Sequence, residues 1–62
     1  MYAWFRIKGH ERTVWTCEVC GDSIGLVTKI GDREWQAVHR DSGRVAVFAT
    51  LRAAKAWVEG AA

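Results

Sequence analysis

The sequence predicts an α+β fold, a small antiparallel β-meander of four or five strands with one C-terminal α-helix packed on one face. Apolar and polar residues alternate through most of the first fifty positions, which is typical of half-buried strands. Glycines recur at roughly ten-residue intervals, a spacing that suits short antiparallel strands. After Thr50 the apolar period becomes helical. The 62 residues are predicted to form a single domain, residues 1–62.

The first two strands are predicted from their alternation. Residues 2–8 place two sets of side chains on opposite faces, Tyr2, Trp4, Arg6 and Lys8 on one and Ala3, Phe5 and Ile7 on the other. Residues 12–19 continue the pattern and place Trp15, Cys17 and Val19 together. Three more strands are expected over residues 24–30, 34–40 and 44–49.

The last two strands are predicted to form a hairpin. Asp41-Ser42-Gly43 lies between them, and glycine can adopt the left-handed conformation that a three-residue hairpin loop requires. Residues 44–49 are apolar on both sides. We therefore expect a central strand whose two faces are both packed against the rest of the chain or against a protein partner.

A short helix is expected over residues 51–59. The hydroxyl of Thr50 can cap its start, Gly60 can close its end, and its apolar stripe is Leu51, Ala54 and Val58 with Trp57 beside them. Its outer face is predicted to carry Arg52, Lys55 and Glu59. Cations near a helix start oppose the helix dipole, so this face is either a tolerated solvated surface or the site of an anionic partner.

Composition limits the function classes. The formal charge is +2, from nine Lys and Arg against seven Asp and Glu, and the two signs alternate along the chain. This charge permits an anionic partner without requiring one. Four tryptophans are expected to help hold so small a chain together. Neither a secretory signal nor an apolar run of about 20 residues is recognised, so a cytoplasmic protein without a membrane partner is expected.

The two cysteines stand in Cys17-Glu18-Val19-Cys20-Gly21, a Cys-x-x-Cys-Gly turn that resembles a single zinc-ribbon knuckle. Two thiolates supply half of a tetrahedral site. The other ligands could be His10 and His39, or Glu18 and Asp22, or the cysteines of a second copy. Inert buried thiols and a redox dithiol are the alternatives. No cofactor is required, and zinc is the candidate cofactor.

Catalysis is not expected. The sequence suggests no Ser-His-Asp or Cys-His set, no glycine-rich phosphate loop and no pair of carboxylates in apolar surroundings. A substrate pocket typically needs a few hundred Å³, which so short a chain can rarely enclose. A binding protein rather than an enzyme is therefore predicted.

Residues 34–59 carry a resemblance in Trp35-Gln36-Ala37-Val38, Arg40-Asp41-Ser42-Gly43-Arg44, Phe48-Ala49-Thr50 and Ala53-Ala54. This segment resembles the three-stranded-sheet-plus-helix DNA-binding domains of phage and transposon integrases and the related plant ethylene-response domains. The resemblance implies that the sheet enters the major groove and that the helix packs behind it. It also implies that the aromatic residue before the threonine fills the core.

The predicted function is a small non-enzymatic module that recognises a macromolecule, such as DNA, through its sheet face and basic turns. Stacking on bases is assigned to Tyr2 and Trp4, and contacts to phosphate or to a partner are assigned to the cations Lys8, Lys29, Arg33, Arg40, Arg44 and Arg52. The first alternative is a phage or mobile-element accessory protein that inhibits a host protein complex by occupying its surface. The second is a zinc-stabilised knuckle protein or homodimer.

Overall fold

A computed structural model describes residues 2–8 and 11–60. Five antiparallel strands form one open sheet and are followed by one helix. The elements are β1 (Ala3–Ile7), β2 (Val14–Val19), β3 (Asp22–Gly31), β4 (Glu34–His39), β5 (Val45–Phe48) and α1 (Leu51–Gly60). The strand order is β1-β2-β3-β4-β5, so each strand pairs with its neighbour in the chain. The predicted α+β meander with a C-terminal helix is confirmed.

β3 extends beyond the predicted residues 24–30 at both ends. Its start is set by a two-residue turn, Cys20-Gly21, in which φ is positive at both positions (53° and 84°). Positive φ at both central residues is the requirement of a type I′ hairpin turn, whose twist matches that of the flanking strands. Pairing therefore begins at once, with Val19 opposite Asp22.

The β4–β5 hairpin forms where the sequence predicts it. Gly43 has a φ of 71°, the left-handed conformation expected there. The amide of Gly43 donates to the carbonyl oxygen of His39 (2.8 Å), and the amide of His39 donates to that of Arg44 (2.8 Å). These bonds enclose the four residues 40–43, so the loop is one residue longer than predicted.

β5 lies at the edge of the sheet and pairs only with β4. The prediction of a central strand over residues 44–49 was therefore wrong. Among residues 2–8 and 11–60, no further strand pairs with its outer edge. Val45 and Val47 consequently remain 53% exposed.

α1 begins at a capped turn and packs against β3, β4 and β5. The hydroxyl of Thr50 accepts a hydrogen bond from the amide of Ala53 (3.1 Å), as predicted. Ala54 and Val58 are fully buried, and Leu51 and Trp57 pack around them. In the part of the chain that is described, no helix has the length and apolar character needed to cross a membrane.

The core lies between α1 and one face of the sheet. Its fully buried residues are Cys17, Val27, Ala37, Ala54 and Val58, with the tryptophans and Phe48 around them. Gly25 lets the helix approach, because a Cβ there would lie 2.7 Å from Cγ1 of Val58 and 2.8 Å from the carbonyl oxygen of Val38. The close helix–sheet contact thus depends on a glycine within a strand.

Candidate functional site

The face of the sheet opposite α1, here called the open face, is built by the register of all five strands. Side chains directly opposite one another in paired strands lie on the same face. One row across the sheet is Phe5, Thr16, Leu26, Val38 and Val45. The next row is Ile7, Val14, Thr28, Gln36 and Val47. Seven of these ten side chains are apolar and none is charged.

The open face is most exposed at the two edges of the sheet. Phe5 on β1 is 52% exposed, and Val45 and Val47 on β5 are each 53% exposed. The inner side chains of the rows are shielded by their neighbours, and Thr16 is only 9% exposed. The hydroxyl of Thr16 is hydrogen-bonded to that of Ser23 (2.9 Å). Some of the polar groups on this face therefore have hydrogen-bond partners within the sheet, while the apolar side chains at its edges are exposed to solvent.

A groove of about 480 Å³, here called the α1–β1 groove, runs beside the helix. It is lined by Trp4, Leu51, Arg52, Lys55, Ala56 and Glu59. The indole N–H of Trp4 donates to a carboxylate oxygen of Glu59 (2.7 Å), and the hydroxyl of Tyr2 donates to the backbone oxygen of the same residue (2.7 Å). These bonds attach β1 to the end of the helix.

Lys55 is part of the packing rather than of a freely solvated face. Its ammonium group lies 4.3 Å from the ring centroid of Trp15 and 5.3 Å from that of Trp4. A cation over two indole faces is attracted by both ring quadrupoles. The prediction that Lys55 and Glu59 lie on the outer face of α1 was therefore wrong, because both are partly buried and turned toward β1 and β2. Arg52 is exposed, as predicted.

The predicted nucleic-acid contacts do not lie on the open face. Tyr2 and Trp4 are on the helix side of the sheet, where both are bonded to Glu59. Of the two aromatic residues expected to stack on bases, Trp4 thus lines the α1–β1 groove, together with Arg52. Trp4 is also covered by Lys55, so its ring is only partly available for stacking.

The remaining predicted cations are spread over two ends of the sheet. Lys8 follows β1, and Lys29 and Arg33 lie near the β3–β4 turn, at the end where β1 finishes. Lys29 lies over the ring of Trp35, 5.6 Å from its centroid. Arg40 begins the β4–β5 loop and Arg44 follows it, at the opposite end of the sheet. The basic turns therefore lie at two opposite ends of the sheet rather than in one cluster.

The two cysteines have different environments. Cys17 lies within β2 and is fully buried, whereas Cys20 is exposed in the following turn. Burial raises the pKa of the Cys17 thiol above its ordinary value, and the negative charge of Glu59 adds to the effect. Cys17 is therefore held as the neutral thiol at neutral pH.

His39 is the one predicted histidine ligand within the described residues, and it does not lie beside the cysteines. His39, 9% exposed, shares a face with Cys17, but Gly25 lies between them in the register and Val58 packs over that glycine. Its Nδ1 is buried and has no hydrogen-bond partner among the described residues. His10 lies outside those residues. Within residues 2–8 and 11–60, no three His, Cys, Asp or Glu side chains, including Glu18 and Asp22, come together as a metal site.

Sequence reasoning did not select the residues that make the open face distinctive, Phe5, Val45 and Val47. The signal was present, because Phe5 alternates with Trp4 and the segment 44–49 is apolar on both sides. What the sequence could not supply was the side of the sheet on which α1 packs.

No family model matches the chain. No curated protein and no solved structure matches it either.

Proposed function

We propose that this protein is a non-catalytic module that binds a protein partner through the open face of its sheet. The observation that carries the proposal is the pair of uncharged rows that cross all five strands, with Phe5, Val45 and Val47 more than half exposed. Exposed apolar side chains that share one face of a sheet are typical of an interaction site.

The chemistry of the open face favours protein over nucleic acid. Binding to DNA or RNA depends on cations that neutralise phosphates. The two rows contain no lysine or arginine, and the predicted cations lie at the turns or beside α1. An apolar protein surface is the complementary partner, because burial of the exposed edges contributes about 25 cal/mol per Å² before the costs of association.

The state of the cysteines supports a role without catalysis. A nucleophilic cysteine needs a lowered pKa and a base within hydrogen-bond reach. Burial acts in the opposite direction at Cys17, whose pKa is raised. Cys20 is exposed in a turn rather than held in a cleft.

The proposal is tested by binding with purified components. A protein captured from the source cells is purified and titrated with the wild-type chain and with Val47→Lys, which places a charge on the open face. We expect one-to-one binding that changes little between about 50 and about 500 mM salt. We expect Val47→Lys to weaken it at least about tenfold, because an unpaired charge would be buried.

Ala53→Lys is the matched control, since Ala53 is exposed on α1 and does not line the α1–β1 groove. This variant adds the same charge away from the open face and should bind like the wild type. Binding that survives both Val47→Lys and Phe5→Lys would contradict the proposal.

A second candidate is single-stranded nucleic acid in the α1–β1 groove. The observation in its favour is the meeting of Arg52 and Lys55 with the ring of Trp4 in one groove. Cations that follow a phosphate backbone beside an aromatic surface are typical of single-strand binding. Titration with an oligothymidine should then quench tryptophan fluorescence, with an affinity that falls steeply with salt. Arg52→Ala should reduce that salt dependence, whereas Arg12→Ala in the β1–β2 connection should not.

A further inference from the structure

We infer that the partner of the open face is a second copy of this chain, packed face to face about a two-fold axis. This inference rests on the proposed function, because it names the occupant of the same surface. In the resulting assembly the two sheets form the inner layers, and each α1 lies on the outside.

The size of the core is the first argument. The fully buried residues of the described chain are small, none larger than valine, and all of them belong to the helix side. A chain of about 60 residues buries only about 60% of its extended surface, and such chains commonly gain stability from oligomerisation. Burial of Phe5, Val45 and Val47 in a dimer would add apolar contacts that the monomer lacks. A second copy is present whenever the chain is made.

The area of the open face is the second argument. Five strands at a spacing of about 4.8 Å, each about six residues long at about 3.3 Å per residue, give a face of about 24 by 20 Å. If both faces were flat, the two copies together would bury about 1,000 Å². The projecting side chains increase this buried area. Specific interfaces begin at about 1,000 Å², so the face is large enough for a dimer of modest affinity.

The charge distribution is the third argument. In a two-fold interface the patch meets its own copy, so a charged group close to the axis would lie near a like charge. The two rows of the open face contain only apolar and uncharged polar side chains. The nearest charged side chains on the same face, Glu18 and Glu34, lie in the rows outside these two, at opposite ends of the sheet. Their negative charges are therefore at the rim of the interface rather than at its centre. Gln36 and Thr28, which share one row, can form hydrogen bonds across the interface.

Sedimentation velocity on the purified full chain tests the inference. The wild type should change from monomer to dimer mass between about 5 and about 500 µM, the range in which an interface of this size is expected to associate. Val47→Lys should weaken dimerisation at least about 100-fold, because each dimer would bury two unpaired ammonium groups. Ala53→Lys adds the same charge on the far side of the molecule and should leave the dimer intact.

Thermal unfolding of the wild type gives a readout that does not depend on a folded variant. If the native state is a dimer, its Tm should rise with protein concentration. A monomer mass with a constant Tm over the whole range would overturn the inference, as would a dimer that persists in Val47→Lys and Phe5→Lys.

The two proposals fail separately. If the chain is monomeric but binds a different purified protein in a manner that Val47→Lys weakens, the second copy is excluded and the proposed function stands. If neither association responds to substitutions on the open face, both proposals fail.

Discussion

Position 25 shows how one missing side chain sets the distance between two elements. Gly25 is in the interior of β3, between Cys17 and His39 in the register. A Cβ at this position would lie within 3 Å of both Val58 on α1 and the backbone of β4. The helix can therefore approach the sheet closely only while residue 25 is glycine.

We expect Gly25→Ala to lower the free energy of unfolding by about 1–3 kcal/mol through overpacking, measured by urea denaturation. Gly60→Ala is the matched control, because a Cβ there meets nothing within 4 Å and should cost little. In the double variant with Val58→Ala the obstructing Cγ1 is absent, so the two losses should be less than additive. Strict additivity would contradict this account of Gly25.

Cys20 is a residue-scale exception, since it is the non-glycine residue with positive φ in the described chain. Asparagine tolerates this conformation better than cysteine does, and Asn-Gly is a preferred type I′ turn. We expect Cys20→Asn to raise the free energy of unfolding by about 0.5 kcal/mol, measured by urea denaturation. If Cys20 instead binds zinc, the same variant should lose stability and the metal together, which native mass spectrometry would detect.

At the scale of elements, α1 depends on its first turn and on its contacts with the sheet. Thr50 supplies the N-cap, and no acidic residue in the first turn adds to it. At the other end of the helix, Glu59 accepts the hydrogen bond from Trp4. The helix is thus held at its start by local chemistry and at its end by a strand more than fifty positions away.

Removal of the cap should be measurable in the stability of the whole chain. We expect Thr50→Ala to lower the free energy of unfolding by about 1 kcal/mol, because the amide of Ala53 loses its side-chain partner. Thr50→Ser keeps the hydroxyl and should retain most of the stability. Both free energies are measured by urea denaturation with far-UV circular dichroism. If Thr50→Ala and Thr50→Ser lose the same amount of stability, the hydroxyl is not the stabilising group.

At the scale of the whole molecule, the sheet has one covered face and one open face. The fully buried residues all lie on the covered side, and they join three strands to the helix in one cluster. Such a small core leaves no part of the chain able to fold independently. The elements should therefore unfold together.

Val27→Ala tests this cooperativity, because Val27 lies fully buried at the centre of the sheet. We expect the substitution to lower the free energy of unfolding by about 1–3 kcal/mol. Tryptophan fluorescence and far-UV circular dichroism should give the same shifted urea midpoint, since strands and helix lose the same core. Midpoints that differ between the two probes would contradict a single cooperative unit.

The sequence by itself determined the features that depend on near neighbours in the chain. The alternation of Trp4 and Phe5, the left-handed Gly43 and the cap at Thr50 each follow from local backbone geometry and side-chain type. The meander follows in turn, because short turns can join only adjacent antiparallel strands.

Only the tertiary structure decided which face α1 covers, that β5 is an edge strand, and that Lys55 and Glu59 turn toward β1. It also separated Cys17 in the core from Cys20 in a turn. These outcomes depend on contacts between residues far apart in sequence, such as Gly25 with Val58 and Trp4 with Glu59. An alternating pattern defines two faces of a strand, but the face that becomes the core is selected by where the helix finds room to pack.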